Sequence, residues 1–257
     1  MGELERALRA TRDRGAKAFV PYLTGGFPGV DASLLRALAS AGADAVEVGI
    51  PHSDPIMDGG VIQEASRVAL ERGTHPGDVL ALIEEAGLSI PVAVMTYANP
   101  VYRRGYAAFC DDLVAAGVAG AIVPDLPVDE AGGFDELAAA RDIDAVLLAA
   151  PGTSAARYAA IGAASHGFVY CVATYGVTGA RDELGSSAEE VVAALRTVTD
   201  LPLLVGVGIG TPDQAAAACA FADGVIVGSA LMAALIQSGR EGLEQLAARF
   251  RTAITAG

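Results

Sequence analysis

Eight short apolar runs recur along this chain, each followed by an Ala/Leu-rich stretch of helical character, and this alternation limits what it can fold into. The runs cover residues 18–23, 45–49, 92–95, 120–123, 145–148, 168–172, 203–206 and 224–227. Amphipathic stretches such as 32–41, 107–116, 130–140 and 188–198 lie between them. A run apolar on both faces fits a parallel strand covered by helices, not the edge of an open antiparallel sheet. Eight β-then-α units with no low-complexity linker predict an α/β fold of the (β/α)8 TIM-barrel type. A doubly wound open sheet is the alternative, and the count of eight favours closure. Such barrels take about 250 residues. Residues 1–257 are therefore expected to form one barrel domain with a short N-terminal helix.

Composition narrows the partners. With 53% hydrophobic residues and no Trp, the core must be aliphatic. A net charge of −14 argues against nucleic acid or an anionic membrane surface. The N-terminus has no apolar signal core and no run reaches transmembrane length, so a cytoplasmic location is expected. Cys110, Cys171 and Cys219 lie far apart among apolar neighbours and read as small buried hydrophobes. His52, His75 and His166 are scattered without ligand spacing, so no metal is expected.

The segment 46–59 carries the strongest chemical signal. Glu47 stands inside an apolar strand, where an acid is unfavourable unless it has a task, and burial would raise its pKa toward neutrality. A Gly/Pro/Asp loop follows at once and delivers a second acid, Asp58. In a parallel barrel, functional groups gather at the C-terminal ends of strands. Tyr22, Tyr97 and Tyr170 fall there and can line a flat pocket or simply pack at the rim. Asn99 and Asp125 read as supporting hydrogen-bond partners. The Gly206–Gly208–Gly210 cluster has Thr211 where a dinucleotide fingerprint needs its third glycine. Together with Gly228 and Ser229 it fits a phosphate cradle after strands seven and eight.

The segment from Glu47 through Asp58-Gly59 resembles the signature of the tryptophan synthase alpha chain family. Met95-Thr96-Tyr97-Ala98-Asn99, Pro124-Asp125-Leu126-Pro127, Gly176-Val177-Thr178-Gly179 and Val227-Gly228-Ser229 are similar to further motifs of that family, in the same order. The resemblance runs from about Ala18 to Leu235. It implies a lyase of tryptophan biosynthesis that cleaves indole-3-glycerol phosphate to indole and glyceraldehyde 3-phosphate without a cofactor. It implies Glu47 as the acid/base and Asp58 as the carboxylate at the indole N–H. Tyr22, Tyr97 and Tyr170 would surround the substrate, Tyr22 in a place often held by Phe. Gly179, Gly208, Gly228 and Ser229 would hold the phosphate. It also implies an α2β2 complex with a pyridoxal-phosphate beta chain, met by the loop 51–58 with Asp54 at the contact, and a closing element over 176–185.

Two departures stand out. Gly60 replaces the Pro usual after Asp58-Gly59, and Val207 stands where some members carry Phe. A free-standing indole-3-glycerol phosphate lyase and a catalytically weak, phosphate-binding regulatory subunit remain as alternatives.

Overall fold

The computed structural model describes residues 1–173 and 183–255, with the backbone alone over 183–186. Eight parallel strands close into a barrel in sequence order. They are β1 (Ala18–Thr24), β2 (Val46–Gly49), β3 (Val92–Met95), β4 (Gly120–Ile122), β5 (Asp144–Ala149), β6 (Val169–Val172), β7 (Leu203–Gly206) and β8 (Gly224–Val227). The barrel closes where β1 pairs with β8, Ala18 beside Gly224 and Pro21 beside Val227. Each expected run coincides with a strand, with ends shifted by at most one residue, and the open sheet is excluded. The core is aliphatic, with Phe19, Phe168 and Phe250 as its largest fully buried side chains.

The helices are more numerous than one per strand. They are α1 (Glu3–Asp13), α2 (Ala32–Ser40), α3 (Gly60–Glu71), α4 (Pro76–Ala86), α5 (Ala98–Arg104), α6 (Tyr106–Ala115), α7 (Val128–Ala139), α8 (Ala155–Ala164), α9 (Glu183–Arg196), α10 (Pro212–Cys219) and α11 (Ser229–Thr255). Two helices follow β2: α3 stops before Gly73, whose φ of +81° leaves the helical path, and Pro76 then opens α4. Two follow β3, split at Gly105, whose φ of +85° breaks the helical path.

The N-terminal ends of the strands are fastened by buried or half-buried acids. Asp144, at the start of β5, accepts from the backbone N–H groups of Gly2 (3.2 Å) and Glu5 (3.0 Å), docking α1 beneath the barrel. Asp44 accepts from the Phe19 N–H at 2.9 Å and pairs with Arg251 at 2.9 Å. Asp223 accepts from the Leu203 N–H at 2.8 Å and pairs with Arg196 at 2.6 Å. A carboxylate buried with such donors satisfies orphan amides at strand and helix ends. All three cysteines are free and buried, and burial raises each thiol, Cys219 to about 11.

Candidate active site

Glu47 points into the barrel from β2, directly beside Tyr22 of β1 and Ala93 of β3. It is 1% exposed, and neither carboxylate oxygen has a hydrogen-bond partner among the described residues. An uncompensated buried carboxylate resists ionisation. Burial, with a smaller contribution from the negative charge of Asp58, pushes the Glu47 pKa up to about 8.

Asp58 sits above it, on the loop between β2 and α3. That loop is shaped by its own backbone, with the Asp58 N–H donating to the Pro55 carbonyl at 3.0 Å. Gln63 in the first turn of α3 donates to the Asp58 carbonyl at 2.9 Å. The Tyr97 hydroxyl donates to Asp58 Oδ2 at 3.1 Å and accepts from the Met57 N–H at 3.1 Å. Burial raises Asp58 to about 6, while the Tyr97 hydrogen bond holds it down. Two neighbouring carboxyls are thus set apart: Glu47 is predominantly protonated at neutral pH and Asp58 predominantly ionised.

Tyr22 and Tyr170 are buried inside the barrel, and burial pushes both phenols far up. Both feel the charges of Glu47 and Asp58, which places the four groups in one cluster. Room for the two hydroxyls comes from missing side chains. A Cβ at Gly49 would overlap the Tyr22 hydroxyl, and one at Gly206 would overlap that of Tyr170. Tyr97 stands at the rim, stacked on His52 with ring centroids 4.7 Å apart.

The glycine cluster after β7 has an unusual backbone. Val207 adopts φ +64°, a left-handed conformation that strains a β-branched residue, and Gly208 follows at +94°. The Gly210 and Thr211 amides are taken by the Gln214 side chain, at 2.8 and 3.1 Å, in a capping box that starts α10. Gly228 and Ser229 stand at the head of α11, where the helix dipole is positive. A Cβ on Gly59 would lie 3.8 Å from the Ser229 hydroxyl, so this helix end borders the Asp58 loop. Gly179 and most of the 176–185 stretch lie outside the described residues.

Asp54 is exposed, and its side chain accepts from Ser53 at 2.8 Å. Asp125 supports, as expected, by accepting from the Ala98 N–H at 2.8 Å at the start of α5. Asn99 is exposed on α5. The sequence reading did not single out Thr24, Gln63 or the packing role of His52. One set of metal-capable side chains converges among the described residues, Glu5, Asp144 and His166, at the opposite end of the barrel. Two of its members are already engaged: Glu5 pairs with Arg9 at 2.7 Å, and Asp144 holds two backbone amides.

Fold and site together define a barrel enzyme with a carboxylate pair at the C-terminal mouth, suited to acid–base chemistry. Comparison with known proteins makes that class specific. The model of the family "Tryptophan synthase alpha chain" matches residues 8–256. The chain is 43% identical over 264 residues to the tryptophan synthase alpha chain of Synechocystis sp., covering 99% of this chain and 100% of the relative. It is 44% identical to that of Streptomyces avermitilis, covering 95% and 91%. Among solved structures, Mycobacterium tuberculosis tryptophan synthase superposes with a TM-score of 0.91 at 41% identity, covering 100% and 99%. Tryptophan synthase subunit alpha from Legionella pneumophila gives 0.90 at 34%, covering both chains fully. The chain belongs to the tryptophan synthase alpha chain family, lyases of tryptophan biosynthesis that cleave indole-3-glycerol phosphate.

Proposed function

We propose that this chain cleaves indole-3-glycerol phosphate to indole and glyceraldehyde 3-phosphate with Glu47 as acid and base and Asp58 as the electrostatic partner. The observation that carries the assignment is Glu47, 1% exposed with no hydrogen-bond partner among the described residues, beside Asp58, held by the Tyr97 hydroxyl at 3.1 Å; burial lifts the first to about 8 and the second to about 6. Protonated Glu47 gives its proton to indole C3. The ring becomes an indolenine-like cation with its positive charge centred on the ring N–H, which ionised Asp58 stabilises. Glu47, now a carboxylate, takes the proton of the hydroxyl on the side-chain carbon bonded to C3. The O–H electrons form the aldehyde C=O, the C–C bond breaks, and its electrons return to the ring to give indole. One proton is delivered and one recovered, so Glu47 ends as it began, and these steps call for no cofactor.

Tyr22 and Tyr170 wall the pocket, and Tyr97 fixes Asp58. Gly208, Gly228 and Ser229 receive the phosphate, with Gly179 completing the set. Local dipoles must hold this anion against the chain's own negative charge. The partner is a beta chain that carries pyridoxal phosphate in an α2β2 complex. Its contact is the loop bearing Asp54, where Ile56 is 76% exposed beside the half-exposed Met57. Among the described residues no helix is long and apolar enough to cross a membrane, and we place the protein in the cytoplasm.

Indole release from indole-3-glycerol phosphate, measured with and without a beta chain, tests this reading. Slow release alone and a large increase with the partner are expected. Fast release alone would make the chain a free-standing lyase, and no release in either condition would overturn the function.

A further inference from the structure

Glu47 gives up its proton during the reaction, yet none of its neighbours among the described residues donates a hydrogen bond to its carboxyl. From β3 its neighbours in register and one step on are Ala93 and Met95, which offer nothing. Asp58, on the loop above, carries the same charge. Among the described residues, two neutral hydroxyls that feel the Glu47 charge are those of Tyr170 on β6 and Tyr22 on β1.

Tyr22 is the one on the strand next to Glu47. It is the register partner of Glu47 in the β1–β2 ladder, and its hydroxyl lies over Gly49, the next inward position on the strand that carries Glu47. Its ring is wedged against Gly228, where a Cβ would come within 3.0 Å of it. The ring is therefore fixed while the hydroxyl can turn. At present that hydroxyl makes one long contact, 3.3 Å to Thr24 Oγ1, in which either oxygen can be the donor. Thr24 is itself fully buried. Such a bond is weak and easily exchanged for one to a charged acceptor.

We propose that the Tyr22 hydroxyl is a positioning residue for the reaction, turning from Thr24 to donate a hydrogen bond to the Glu47 carboxylate formed once the proton has left. Burial keeps the phenol protonated across the working pH range, so it stays a donor. The inference rests on Glu47 being the acid and base.

The test compares three variants with the parent complex, Tyr22→Phe, Thr24→Val and Glu47→Gln, by the pH dependence of kcat for indole release at saturating substrate. Tyr22→Phe removes the donor and keeps the ring. It should lower kcat about tenfold, the effect of one hydrogen bond to a charged group. It should also move the alkaline limb to higher pH, because Glu47 becomes harder to ionise, and leave KM nearly unchanged. Thr24→Val removes the competing acceptor and should move the same limb to lower pH. An unchanged pH profile in Tyr22→Phe, or a raised KM with parental kcat, would overturn the proposal and leave Tyr22 as pocket wall. Cleavage by Glu47→Gln would instead overturn the proposed function. An inactive Glu47→Gln beside an unaltered Tyr22→Phe would remove this inference alone.

Discussion

Replacing Glu47 by glutamine changes one proton-binding site while keeping the size and the neutral hydrogen-bonding character of the side chain. In the folded protein the carboxyl is held near 8, and in the unfolded chain it returns to about 4.5. Between those values the unfolded chain binds fewer protons, so native stability falls as pH rises through this window and levels off above it. Glutamine has no such dependence. At about 1.36 kcal/mol per unit, the native state at pH 7 carries a disadvantage of roughly 3 kcal/mol from this group, against under about 1 kcal/mol at pH 5. Urea unfolding of parent and variant at a series of pH values from 5 to 8 reads the difference directly. Any pH-independent packing effect of the amide appears at every pH and cancels from the slope. The stability of Glu47→Gln relative to the parent should rise steadily toward alkaline pH, while cleavage is lost. A gap that stays flat across the range would mean that Glu47 is not desolvated in the native state, and the acid–base assignment would lose its physical basis.

Two further changes probe the loops around it. Gly60 is the first residue of α3, follows an extended Gly59 (φ −73°, ψ 162°) and has nothing within 4 Å of a Cβ, so proline fits there. Gly60→Pro should raise stability by about 0.4–1 kcal/mol through the unfolded state, seen as a higher melting temperature, and should raise indole release without the partner by steadying Asp58. A lower melting temperature would refute it. Asp125→Ala frees the Ala98 N–H at the start of α5. It should lower unfolding free energy by about 1 kcal/mol and reduce kcat, since Tyr97, next to Ala98, holds Asp58.

The barrel could be read from the chain because parallel strands buried on both faces advertise themselves as unbroken apolar runs, and Glu47 stood out against one. Asp58 followed from the loop composition. The surroundings of these acids were harder to see, because they depend on contacts across strands. Gly49 and Gly206 look like ordinary strand-end glycines until the tyrosine hydroxyls are found occupying the space they leave. His52 appeared as one of three unrelated histidines, and only the fold of the loop lays it on Tyr97. Gln63 is four residues past Gly59, one helical turn, and its bond to the Asp58 carbonyl needs the start of α3 to be known. The doubling of helices after β2 and β3 was signalled by Pro76 and Gly105, but a count of one helix per strand passed over both.

The acids beneath the barrel differ in kind from those at its mouth. Asp144 is buried with two backbone donors and fastens the amino-terminal helix, whereas Glu47 is buried with none among the described residues. One end of the molecule therefore accumulates order while the other tolerates discomfort, with the length of the strands between them. For laboratory evolution this divides the protein into two territories. A library aimed at heat resistance can be confined to α1 and the lower strand ends, where substitutions have no line of contact with the reacting atoms. A library aimed at new substrates can be spent on the mouth, with reinforcement gained below to absorb what it loses above.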